Sequence, residues 1–229
     1  MFKRRHHQFI ATILLSLDAD LFNGHHCYFG GGTATTLLHG EYRESVDIDF
    51  LVSDEKSFRA LRIMAKENFR QFFALEQAAM MVADVRVDQY GIRTRLSLGE
   101  LAVKFEIIRE GRIELEQPRA RDTIGKILTL SRLDLVTTKL LANSDRWADA
   151  GVFSRDIIDL AMMKPPLNLL RSGLDKAQQA YGDSVKRDLE KAITRLEAHP
   201  NILDRSIEVL AIDVPKALLW QNIKRLKRH

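Results

Sequence analysis

Tyr28 to Val52 reads YFGGGTATTLLHGEYRESVDIDFLV, and its two halves ask for different backbones. Cys27, Tyr28 and Phe29 form a short apolar run that ends in Gly30, Gly31 and Gly32. Three glycines predict a tight turn with open backbone N–H groups, because no Cβ blocks close approach or a positive φ. Thr33 to Leu38 then begins a helix, with Thr33 or its neighbour as cap. A phosphate set there would meet backbone donors and a helix N-terminus. After the connection Gly40 to Ser45, Val46, Ile48, Phe50 and Val52 alternate with Asp47, Asp49 and Leu51, the period of a strand. Asp47 and Asp49 fall side by side on the face opposite the apolar one. Two carboxylates that close repel each other unless something positive sits between them, and a hard divalent cation is the usual answer. The stretch therefore predicts a triphosphate and Mg²⁺ site.

Gly31-Gly32-Thr33 followed by Ser45-x-Asp47-x-Asp49 resembles the first motif of the polymerase-β-type nucleotidyltransferases. The version with GGT and DIDF is most similar to the AbiEii-like nucleotidyltransferase toxins. The resemblance implies an α+β fold, a nucleotidyltransferase-type mixed sheet flanked by helices and followed by a helical C-terminal lobe. It also implies transfer of a nucleotide from an NTP to an acceptor hydroxyl, on RNA or tRNA, using two metal ions, Mg²⁺ or Mn²⁺. Within it Gly31, Gly32, Thr33 and Ser45 belong to the nucleotide site, and Asp47 and Asp49 hold metal. The toxin role, in a toxin–antitoxin or phage-defence pair, and the cognate antitoxin come from the resemblance alone.

Working outward, Phe9 to Phe22 carries an apolar stripe at Phe9, Ile13, Leu17 and Leu21, which predicts one amphipathic helix ended by Asn23-Gly24. Asp54 to about Phe73 reads as one or two helices whose phenylalanines belong to the core. From Met80 the period shortens: Val82, Val85 and Val87, then Ile92 to Leu96 and Leu101 to Ile108, predict strands joined by short turns. The last puts Val103, Phe105 and Ile107 on one side and Lys104 and Glu106 on the other. A two-metal site wants more negative charge than two aspartates supply. Glu106 is the expected third acid, by its strand and by the family's lysine-x-acid setting, with Asp84 and Asp88 as the alternatives. Gly111 to Glu116 predicts one more strand, while Ile124 to Leu130 fits either a strand or a helix.

The N-lobe is placed at residues 1–128 and the helical lobe at 129–229. Ser131 is the expected cap of a helix over 131–141, with Asp134 in its first turn. Ser154 is the expected cap of the next, and Asp213 that of the last, with Pro215 in its first turn. The resemblance, which runs from Phe29 to Leu160, assigns Lys139 to the triphosphate, with Arg146 beside it, and makes Asp156 an essential acid. In that reading Asp159 is a structural partner. On charge alone, Arg146, Arg155, Asp156 and Asp159 also read as a salt-bridge network pinning two helices.

The chain has 229 residues, 45% of them hydrophobic, which allows one large or two modest domains with a sizeable core. One cysteine excludes an internal disulfide framework and fits a reducing compartment. The basic, apolar start passes directly into Asp18 and Asp20 without a small-residue cleavage site, so it does not read as a signal peptide. No apolar run approaches the roughly 20 residues that span a bilayer, and a cytoplasmic protein without a membrane partner is expected. Net charge is +4, with Lys224, Arg225, Lys227 and Arg228 crowding the end of the chain, where they can meet phosphates. Two other functions stay open: nucleotidylation of a protein or small molecule, and a catalytically degenerate binding protein on the same scaffold.

Overall fold

A break at Leu17-Asp18 sets how the chain begins. The stripe from Phe9 to Phe22 predicts a single helix, whereas the computed structural model has two, α1 (Arg5–Ser16) and α2 (Ala19–Gly24). Leu17 is extended, and the Asp18 carboxylate accepts the Leu21 amide at 3.0 Å, capping α2. Phe9, Ile13, Leu14 and Phe22 thereby all enter one core. The structure describes residues 2–74 and 80–228. It divides into two units, Met1–Leu38 with Ser45–Ser131, and His39–Glu44 with Arg132–His229.

The first unit continues with β1 (Tyr28–Gly30), α3 (Gly31–Leu38), β2 (Asp47–Val52) and α4 (Glu55–Asn68), which tightens into a single 3₁₀ turn at Phe69–Phe72. The strands that follow are β3 (Met81–Val82), β4 (Arg86–Val87), β5 (Gly91–Leu98), β6 (Leu101–Arg109), β7 (Thr123–Ile124) and β8 (Ile127–Leu128). The main sheet runs β1-β2-β6-β5-β3, with β4 also on β5, and β2 and β6 are its parallel pair. One face is apolar. Ile48 and Phe50 lie in register with Phe105 and Ile107, and the Phe50 ring sits 4.4 Å from Phe22 and 5.6 Å from Phe105. Phe58, Phe69 and Phe72 are buried on the same core, as their spacing predicts. Residues 111–116 form no strand: Glu110 bends back to bind the Arg112 amide and guanidinium, which turns the chain out of β6. Ile124 to Leu128 resolves as the β7–β8 hairpin.

The second unit is helical: α5 (Arg132–Arg146), α6 (Arg155–Met163), α7 (Leu167–Tyr181), α8 (Ser184–Ala198), α9 (Pro200–Val209) and α10 (Lys216–Arg225). Its core draws on Leu140, Leu160, Leu174, Leu189, Ile193 and Ile223. Gly173 lets α7 approach α5, since a Cβ there would lie 2.6 Å from Val136. Ser131 directly precedes α5, and its hydroxyl donates to Glu116 at 3.1 Å. Two expected caps differ. Ser154 precedes α6 at φ 53° and its side chain makes no cap bond. Pro215 sits before α10, which starts at Lys216. No helix among the described residues is long and apolar enough to cross a membrane.

Candidate active site

The glycine run does not form a separate loop. Gly30 closes β1 and Gly31 already opens α3, so Thr33 lies inside the first turn, buried, rather than at its cap. Two close contacts explain the glycines. A Cβ on Gly30 would meet Leu130 and Leu51 at 2.7 Å, and one on Gly31 would overlap the Asp49 carboxylate. Gly31 also has φ +68°, the left-handed region that side chains avoid. Thr35 and Thr36 return their hydroxyls to the Gly31 and Gly32 carbonyls, at 2.9 and 2.8 Å. Those bonds fix the carbonyl side of the turn and leave its amide side to a ligand.

Ser45 bonds Thr33 hydroxyl to hydroxyl at 2.8 Å, and its amide donates to His7 Nε2 at 3.3 Å. Ser45 thus ties the start of β2 to α3, two residues before Asp47. His7, buried on α1, is a supporting residue that sequence alone left unmarked; an apolar stripe that carries a histidine on its buried side was the available signal.

The polar face of the sheet reads as two rows. Register puts Asp49 beside Glu106 and Glu106 beside Arg93; one step away Asp47 lies beside Lys104 and Lys104 beside Arg95. Glu106 therefore lies next to Asp49 on the polar face of the sheet. Its side chain, 10% exposed, is taken by Arg93 Nε at 2.9 Å and Lys104 Nζ at 2.5 Å. Asp88 accepts the Tyr90 and Gly91 amides of the β4–β5 turn and pairs with Arg93, and those bonds hold its pKa down against the small cost of burial. Asp84 is exposed in the link between β3 and β4. Among the described residues no three His, Cys, Asp or Glu side chains gather as a metal cage. Asp47 and Asp49, the latter packed against Gly31, nevertheless suit Mg²⁺, which is commonly held by one or two carboxylates plus substrate phosphates and water.

The second unit holds a buried ionic cluster. Asp159, with no exposed surface, receives Arg43 Nε at 2.7 Å, Arg43 Nη2 at 2.8 Å, the Tyr42 hydroxyl at 2.6 Å and Lys139 Nζ at 2.6 Å. Asp156 takes Arg146 through two bonds, at 2.7 and 3.0 Å, with Lys139 at 3.6 Å. Burial would raise the Asp159 pKa, but Arg43 and Lys139 overcome it and hold the carboxyl well below the usual range. Arg43 is raised in turn by Asp159, against its own burial. Arg43 thus faces Asp159. Of the expected network Arg146 pairs with Asp156, Lys139 joins both aspartates in addition, and Arg155 makes no ion pair with either. Sequence reading gave no sign of the pairings with Asp159, because nothing local marks a partner 117 residues from Tyr42 and 116 from Arg43. At the chain end, Lys227 pairs with Glu197 at 2.6 Å and Lys224 lies 5.9 Å from the Trp220 ring centre.

A search of curated proteins gave no match. Among solved structures, a crystal structure of a candidate nucleotidyltransferase from H. pylori aligns with TM-score 0.54 at 14% identity, over 96% of this chain and 92% of that one. At that identity the likeness shows the fold. A family model described as the nucleotidyl transferase AbiEii toxin of type IV toxin–antitoxin systems matches residues 13–225. With that match spanning the glycine turn, the Asp47–Asp49 strand and the buried Asp156–Asp159 helix, the chain belongs to the AbiEii family of nucleotidyltransferases.

Proposed function

We propose that the protein transfers a nucleotidyl group from an NTP to a hydroxyl of an RNA acceptor, tRNA included, and acts as the toxin of a pair with a cognate antitoxin. The acceptor oxygen bonds to the α-phosphorus as the bond from that phosphorus to the bridging oxygen breaks. Pyrophosphate leaves with the electron pair, and the hydroxyl proton passes to water. The amides at the start of α3 bind phosphate oxygens, and Asp47 and Asp49 hold Mg²⁺ or Mn²⁺. A divalent cation held there would supply charge neutralisation for the phosphates and would lower the pKa of the acceptor hydroxyl. Glu106 orients Arg93 and Lys104 beside the acids, and it serves as a further ligand where its carboxylate exchanges those cations for metal. In the helical unit, Asp156 and Asp159 hold Arg146 and Lys139 in place, and Lys139 is the residue assigned to the triphosphate.

The observation that supports this most is the seating of the Asp49 carboxylate against Gly31. A merely solvated Asp-x-Asp strand has no need of that contact. Incubation with α-labelled NTPs, Mg²⁺ or Mn²⁺, and total RNA is expected to leave label in the RNA. Label in polypeptide or in a small molecule would move the acceptor to the other class, and no label anywhere would count against transfer itself.

A further inference from the structure

The rows of the polar face extend beyond the acids. Register continues from Arg93 on β5 to Arg86 on β4, so one line across the sheet reads Asp49, Glu106, Arg93, Arg86, and the line beside it Asp47, Lys104, Arg95. With strands about 4.8 Å apart, Arg93 stands about 10 Å from the Asp49 strand and Arg86 about 14 Å. Charge changes sign along the way. Glu106 and Asp88 are matched by Arg93 and Lys104. Arg95 and Arg86 are exposed, and among the described residues neither guanidinium has an ion pair or hydrogen bond. Two solvated, unpaired guanidinia on one sheet face, in line with an acid pair, form a surplus of positive charge with a fixed direction.

We infer that this face is the track for the sugar–phosphate backbone of the acceptor RNA, with the reacting hydroxyl at the Asp47–Asp49 end and the phosphates behind it on Lys104, Arg95, Arg93 and Arg86. The inference rests on the RNA reading of the acceptor. It adds a surface to that reading: the far rows supply positive charge for the phosphates that lie behind the reacting hydroxyl. Guanidinium forks suit phosphate oxygens, and contacts of this kind give affinity without sequence preference.

The test is the double variant Arg86→Gln/Arg95→Gln, whose side chains make no ion pair or hydrogen bond among the described residues, so its melting temperature should match that of the parent. Binding of a short single-stranded RNA is followed by fluorescence anisotropy across a salt series. Two lost phosphate contacts should weaken binding and reduce the slope of log K against log salt by about 1.4, while affinity for NTP with Mg²⁺ stays the same. Equal affinity and slope for parent and variant would overturn the track. So would a loss seen instead only on replacing Lys224, Arg225, Lys227 and Arg228. A parent that binds no RNA at low salt would also overturn it and would favour a protein acceptor. Label transfer to a non-RNA acceptor would then still report nucleotidyl transfer by itself.

Discussion

Asp159→Ala is expected to destabilise the helical unit by about 3–5 kcal/mol, the usual cost of removing one side of a buried ion pair. The loss is large because three groups converge on this carboxylate. Without it Arg43 and Lys139, whose side chains are 4% and 7% exposed, stay buried without their principal counter-charge. The Tyr42 hydroxyl loses its acceptor as well. Urea unfolding measures the change, and a shift below about 1 kcal/mol would show that the cluster contributes little. Asp159→Ala combined with Arg43→Met should recover part of the loss, since the second substitution removes a stranded charge. The same cluster sets a pH dependence. The carboxyl's folded pKa is depressed, so its contribution is fully present above the unfolded aspartate value of about 3.9 and fades as pH falls below it. The Asp159→Ala variant should lack that acid limb.

The second large effect lies at the contact between Gly31 and Asp49. Asp49→Asn keeps the shape and removes the charge, and it should lower nucleotide transfer by about 10²–10³-fold, the scale of one lost electrostatic group in a transition state. Gly31→Ala should reach the same site by a different route. Its Cβ would overlap the Asp49 carboxylate, which must move, and a displacement near 1 Å costs about 10²-fold. The backbone adds about 1–2 kcal/mol of strain at positive φ. Gly99→Ala separates these causes. Gly99 has φ +59° but open space around its Cβ position, so it should lose stability and keep its turnover. Equal turnover in Gly31→Ala and Gly99→Ala would mean that the glycine serves the turn and not the acid.

The parts legible in sequence are those in which the cause is local. Period-2 alternation placed Asp47 and Asp49 on one face, and the same rule at Val103, Phe105 and Ile107 put Lys104 and Glu106 on the polar side. The parts not legible depend on register or on distant partners. Nothing in Ile92 to Leu96 says that Arg93 lies beside Glu106; that needs β5 paired with β6. Nothing near Tyr42 or Arg43 says that the segment between the glycine helix and the acidic strand belongs to the helical unit, held there by Asp159. The single helix expected over Phe9 to Phe22 failed for a related reason. Its apolar stripe was real, but the Asp18 cap overrode the period at one residue.

Crystals grown with Mn²⁺ and a non-hydrolysable NTP analogue, with data collected at the manganese edge, would address the central claim most directly. The account predicts anomalous signal between the Asp47 and Asp49 carboxylates, with the triphosphate on the amides at the start of α3. A triphosphate bound elsewhere, with no manganese on that pair of acids, would contradict it.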